Sequence, residues 1–146
     1  ELHAAILQAN SSMRDSIRRH VQAHKPVWAE CGGMMALFDE IVQIDGTRHA
    51  MWGVLPGTTR MQQRLARLGP QQLQTPVGIL RGHTFHYSVS ETDLLSVSHT
   101  SKPTQTAGEG GEAVYQQGSV RASYFHPWFA SCPAAAAALF HQSQEV

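Results

Sequence analysis

The chain has 146 residues and balances 11 Lys plus Arg against 11 Asp plus Glu, a formal net charge of zero. That length suits one domain with its own core, and the balance excludes the basic excess of a nucleic-acid or membrane-surface binder. No apolar run approaches the ~20 residues of a membrane span, the first residues do not read as a signal peptide, and two cysteines cannot build a disulfide framework, so a reducing cytoplasm is the expected compartment.

Leu2, Ile6, Met13, Ile17 and Val21 recur at roughly helical spacing and predict one helix over 2–24. Arg14, Arg18 and Arg19 fall on its outer face, with Asp15 placed to pair with Arg19 one turn on. Pro26 ends the helix. Val27, Trp28 and Ala29 predict a short buried strand, followed by a turn at Cys31 and a helix over 32–38 whose Met34, Met35, Leu37 and Phe38 face the core. Strands are expected at 40–44, closed by Asp45-Gly46, and at 49–55, closed by Pro56-Gly57. Others are expected at 75–80, 83–89, 113–117 and 119–124. The polar, glycine-rich stretch 100–112 (TSKPTQTAGEGGE) reads as an exposed loop. Pro133 opens a last helix with Ser131 or Cys132 as its N-cap. Trp28 and Trp52 read as packing. The sum is an α/β layered fold.

Strand, Cys31, then helix is the outline of a nucleophile elbow with cysteine in place of serine. Ala29 and Gly33, two before and two after the cysteine, are the positions expected to crowd each other. An elbow would expose the thiol at a helix N-terminus, which favours the thiolate, and would aim the Gly32 N–H where an oxyanion forms. The alternative is a buried structural cysteine at a tight turn. Cys132 precedes a proline with no glycine turn around it and reads as structural.

A reactive thiolate needs an imidazole. His20, His24 and His141 lie on predicted helices, and His49 and His99 in or beside ordinary strand patterns. His83 and His86, in RGHTFHYS, are three apart, which on a strand sends the rings to opposite faces and does not suit zinc. His126, in VRASYFHPWF, follows a strand end, where α/β folds gather their chemistry. Its alternative is a satisfied loop histidine.

Five stretches carry a family resemblance: ELHAAILQAN, VWAECGGMMAL, MWGVLPGTTRM, RGHTFHYS and GSVRASYFHPWFASCP. In order and over nearly the whole chain they resemble the glutaminase (class I glutamine amidotransferase) domain of cobyrinic acid a,c-diamide synthase. The resemblance implies a flavodoxin/Rossmann-like layered sheet, Cys31 as nucleophile and His126 as catalytic histidine. It implies glutamine as substrate and Arg81, His83, His86 and Tyr124 as candidate substrate contacts. Arg81 could pair the α-carboxylate of glutamine or a carboxylate within the fold. No cofactor or metal is implied within these residues. ATP and Mg²⁺ would serve a separate synthetase domain, where the ammonia amidates cobyrinic or hydrogenobyrinic acid.

The sequence departs from the family pattern in three places. Trp128 stands where the family has a second histidine, leaving Glu30 or a backbone carbonyl to hold the His126 ring. Thr84 stands where the family has a glutamate. The family's preceding strands, the loop that donates part of its oxyanion hole and its synthetase domain have no counterpart expected within these residues, where no G-x-x-x-x-G-K-[ST] motif occurs. This predicts an N-terminally truncated glutaminase domain over 1–146, inactive or weak alone, with an exposed sheet edge that favours self-association. Other readings are another corrin amidotransferase such as cobyric acid synthase, a degenerate interaction module, and a histidine-rich metal binder.

Overall fold

Asn10 divides the first helical stretch in two. A computed structural model describes residues 2–105 and 111–141, and in it helix α1 spans Ala4–Ala9 and α2 spans Ser11–Gln22. Asn10 leaves helical geometry at φ −82°, ψ 70°, and its side chain accepts from the Met13 N–H at 3.1 Å. A short polar side chain that satisfies an orphan donor wins over the apolar periodicity that spoke for one helix. Asp15 pairs with its neighbour Arg14 at 2.9 Å rather than with Arg19.

After Pro26 come β1 (Val27–Glu30), α3 (Gly32–Leu37), β2 (Glu40–Val42), β3 (Arg48–Ala50), β4 (Thr58–Met61), β5 (Arg67–Thr75), β6 (Gly78–His86), β7 (Ser88–Glu91), β8 (Ser96–His99), β9 (Ala113–Gln117), β10 (Val120–Ser123), β11 (Phe125–Pro127) and, after a 3-10 turn at Phe129–Ser131, α4 (Pro133–Ala138). Cys132, not Ser131, is the residue that caps α4. No helix among the described residues is long and apolar enough to cross a membrane.

The strands form three sheets, ordered β1-β10-β9-β8, β11-β6-β5 and β3-β2-β4-β7. Parallel pairing occurs at β1–β10 and β2–β4, and the other ladders are antiparallel. The fold is mixed α/β, richer in antiparallel pairing than the layered reading implied.

Several expected boundaries move for physical reasons. The strand expected over 49–55 keeps only its start. Beyond Ala50 the chain wraps the end of α3, where the N–H groups of Trp52, Gly53, Val54 and Leu55 donate to the carbonyls of Ala36, Phe38 and Leu37 at 2.8–3.1 Å. Orphan carbonyls at a helix end outbid a strand ladder. Most of the strands expected at 75–80 and 83–89 merge into β6, one long arm of a hairpin, while Thr75 ends β5, Pro76-Val77 form the turn and Ser88-Val89 start β7. Part of the stretch expected as an exposed loop is buried instead: Thr100 is fully buried and Ser101 and Glu112 nearly so, while 106–110 lie outside the described residues.

One core cluster surrounds α3, where Met34, Met35, Leu37 and Phe38 are buried with Ile41 and Leu55. A second joins Leu73, Leu80 and Phe125 to Ala135 and Leu139 under α4. Trp52 packs into the first and donates its indole N–H to the Leu7 carbonyl at 3.1 Å.

Candidate active site

The turn after β1 puts Cys31 at φ 45°, ψ −111°, a positive-φ conformation that a residue with a Cβ adopts only under constraint. Two hydrogen bonds impose it. The Cys31 N–H donates to the Ser123 carbonyl at the end of β10 (2.9 Å), and the Cys31 carbonyl accepts from Met35 N–H to open α3 (2.9 Å). Ala29 is buried below the turn as expected. Gly33 is different: a Cβ added there would meet nothing within 4 Å, so the turn does not crowd Gly33. The strain sits on Cys31 itself. Among the described residues nothing accepts from the Gly32 N–H, which leaves that donor open beside the thiol.

His126 arrives on another sheet. On β11 it pairs with His83 of β6, and their rings stack with centroids 5.0 Å apart and planes at 18°. The approach needs Gly82, because a Cβ there would stand 2.0 Å from the His126 carbonyl oxygen. Gly82 thus lies within a strand rather than breaking one. The same β6 segment reaches the thiol, with the Phe85 carbonyl oxygen 3.9 Å from Cys31 Sγ.

Glu30, the residue before Cys31, meets His126. Its Oε2 lies 3.3 Å from His126 Nδ1, while Oε1 accepts from the Trp28 indole N–H at 2.9 Å. Both side chains are about one-third exposed. A carboxylate at Nδ1 selects the tautomer with its proton there and leaves Nε2 to exchange protons. Trp28, read as packing, also holds this carboxylate. Trp128 does not take part in that bond: its side chain points outward, and its backbone N–H donates to the Arg81 carbonyl at 2.7 Å.

Period two along β6 separates the other candidates. Arg81, His83 and Phe85 share the exposed face, and the Arg81 guanidinium has no partner among the described residues. Thr84 and His86 share the buried face. The His86 ring stacks on Tyr124 at 3.7 Å and 8°, with Nδ1 2.8 Å from the Ser88 carbonyl and Nε2 3.1 Å from Glu112. The Tyr124 hydroxyl meets Ser88 Oγ at 2.9 Å and Ser90 Oγ at 2.8 Å. Burial pushes the Tyr124 phenol up, against the pull of these serine bonds. His86 and Tyr124, expected as substrate contacts, are thus tied inside the fold.

Glu112 was not foreseen. Burial alone would raise its carboxyl, but hydrogen bonds from His86 and Thr84, then the charges of His86 and Arg67, hold it below the usual range. Its position after two glycines gave no sequence signal, since its partners lie in other strands.

A model of the CobB/CobQ-like glutamine amidotransferase domain matches residues 1–134. The chain is 45% identical over 140 residues to a cobyrinate a,c-diamide synthase of Herminiimonas arsenicoxydans, covering 96% of this chain and 32% of the relative. It is 45% identical over 139 residues to a hydrogenobyrinate a,c-diamide synthase of Stutzerimonas stutzeri, covering 95% and 32%. It is 36% identical over 145 residues to a cobyrinate a,c-diamide synthase of Salmonella typhimurium, covering 91% and 31%. The chain spans about a third of the length of the curated relatives it matches.

Proposed function

Because the chain belongs to the CobB/CobQ-like glutamine amidotransferase domain family, we propose that it is the glutamine-hydrolysing module of a cobyrinate or hydrogenobyrinate a,c-diamide synthase. The observation that carries this is the Glu30–His126 bond, which brings a carboxylate-held imidazole to the residue beside a strained cysteine.

The chemistry follows from those groups. His126 Nε2 takes the Cys31 thiol proton, and the thiolate attacks the side-chain amide carbon of glutamine. The Gly32 N–H meets the oxyanion of the tetrahedral intermediate. As the C–N bond breaks, His126 returns the proton to the leaving nitrogen and ammonia departs. Water, deprotonated by His126, then attacks the glutamyl thioester, and glutamate leaves as the thiol is restored. Arg81 and His83, on the exposed face of β6, are the proposed contacts for the substrate α-carboxylate.

ATP and Mg²⁺ would activate the corrin carboxylates in a separate synthetase domain. The parallel β1–β10 pair beside the elbow is proposed as part of a flavodoxin-like layered sheet.

Ammonia release from glutamine tests the reading. The protein should hydrolyse glutamine, and Cys31→Ser and His126→Asn should each abolish it. Release that persists in Cys31→Ser would sink the assignment.

A further inference from the structure

We propose that Glu112 is a positioning residue for the Cys31–His126 centre, its buried carboxylate locking the sheet that carries His126 onto the sheet that carries Cys31. The proposal rests on the glutaminase reading above. Nucleophile and base stand on different sheets, Cys31 at the end of β1 and His126 on β11, so their alignment depends on what joins those sheets.

Glu112 does so through one oxygen. Its Oε1 accepts from Thr84 Oγ1 at 2.7 Å and lies 3.1 Å from His86 Nε2 and 3.2 Å from Arg67 Nε. All three partners belong to β5 and β6, whereas Glu112 leads into β9 of the Cys31 sheet. The carboxylate is only 7% exposed, and a buried charge left unpaired is costly, so the three donors and the oxygen hold each other. Both His86 ring nitrogens face oxygen atoms, Nδ1 the Ser88 carbonyl and Nε2 the Glu112 carboxylate.

The mount is itself rigid. The Glu112 N–H donates to Thr100 Oγ1 at 2.7 Å, and that hydroxyl donates to Gln71 Oε1 on β5 at 2.7 Å. Gly111 leaves no room for adjustment, since a Cβ there would fall 1.5 Å from the Thr100 carbonyl oxygen.

What Glu112 grips is the segment that matters. Thr84 and His86 flank Phe85, whose carbonyl is the group 3.9 Å from Cys31 Sγ. Thr84 pairs with Phe125, and His83 with His126. A shift of β6 therefore moves His126 and the Phe85 carbonyl together against the elbow, and misplacement of about 1 Å can cost ~10²-fold in rate.

The test compares Glu112→Gln, Thr84→Val and Glu112→Asp with the parent protein. The readouts are thermal unfolding, the rate of Cys31 labelling by a glutamine-derived chloromethyl ketone relative to iodoacetamide, and the imidazole resonances of His126, assigned with His126→Asn. Folded Glu112→Gln should lose about tenfold or more in the ketone rate while iodoacetamide changes less than about twofold. The His126 resonances should move, and Glu112→Asp should recover part of both effects. If Glu112→Gln does not fold, Thr84→Val decides by the same readouts. A folded variant with the parental labelling ratio and unmoved His126 resonances overturns the proposal. Failure of the ketone to label the parent protein overturns the glutaminase reading instead, and the His126 resonances alone then decide the role of Glu112.

Discussion

Glu30 and His126 stand 96 positions apart in sequence, and a 3.3 Å contact between carboxylate and Nδ1 joins them. Glu30 ends the strand that delivers Cys31, so the same backbone that strains the thiol also supplies the group that holds His126, the proposed base. Glu30→Gln should keep the shape of the pair and remove the charge that supports the imidazolium. Glutamine hydrolysis should fall by roughly 10²-fold in kcat, with KM within about threefold. Steady-state kinetics with ammonia detection checks it, and an unchanged kcat would leave His126 without an orienting partner.

Gly82 is the second lever. A methyl group there cannot coexist with the His126 carbonyl, so Gly82→Ala must push β11 from β6. Overpacking of this kind costs about 1–3 kcal/mol. The variant should melt lower and lose hydrolysis together, and calorimetry alongside the activity assay would show both. A variant with parental activity would mean that β11 does not need this close approach.

The strain at Cys31 predicts a trade of stability against activity. Cys31→Gly removes the Cβ from a positive-φ position, which relieves on the order of 1 kcal/mol. It should abolish hydrolysis yet raise the midpoint of denaturant unfolding, whereas Cys31→Ser should abolish hydrolysis without that gain.

Arg81 has an exposed guanidinium with no partner among the described residues. If it binds the substrate α-carboxylate, Arg81→Met should raise KM for glutamine about tenfold or more and leave kcat within about threefold, the pattern of a lost charged hydrogen bond that does not change during reaction.

Acid should find Glu112. Its folded carboxyl titrates below the ordinary value of 4.5, because the bonds and charges of His86, Thr84 and Arg67 outweigh the opposing effect of burial. A group depressed in the folded state binds fewer protons there than in the unfolded chain, so its stabilising contribution is present above about pH 4.5 and lost as pH falls through the lower folded value. The melting temperature should drop below that pH, and the drop should be shallower in Glu112→Gln. Scanning calorimetry across the acid range measures it.

The local chemistry was legible in the sequence wherever one element carried it. Cys31 between a short apolar run and two glycines marked the elbow, and the three-residue spacing of His83 and His86 placed their rings on opposite faces, as found. What failed was long-range. Asn10 looked like one polar residue in a helix, yet it caps the next one. Gly82 fell between two expected strands, because nothing local shows that another strand passes within reach of its Cα. Glu112 looked like loop, since its partners Thr84 and His86 lie 28 and 26 residues away. Glu30 was one of two candidates to hold His126, and only the 3.3 Å contact across 96 positions of sequence points to it.

The most direct measurement is peptide mapping by mass spectrometry after treatment with the glutamine-derived chloromethyl ketone, with Cys132 as the internal control. A single adduct on Cys31, absent from Cys132 and strongly reduced in His126→Asn and Glu30→Gln, is the predicted result. Equal labelling of both cysteines, or labelling of Cys31 that ignores His126 and Glu30, would contradict the account, because the thiol would then react without the proposed base.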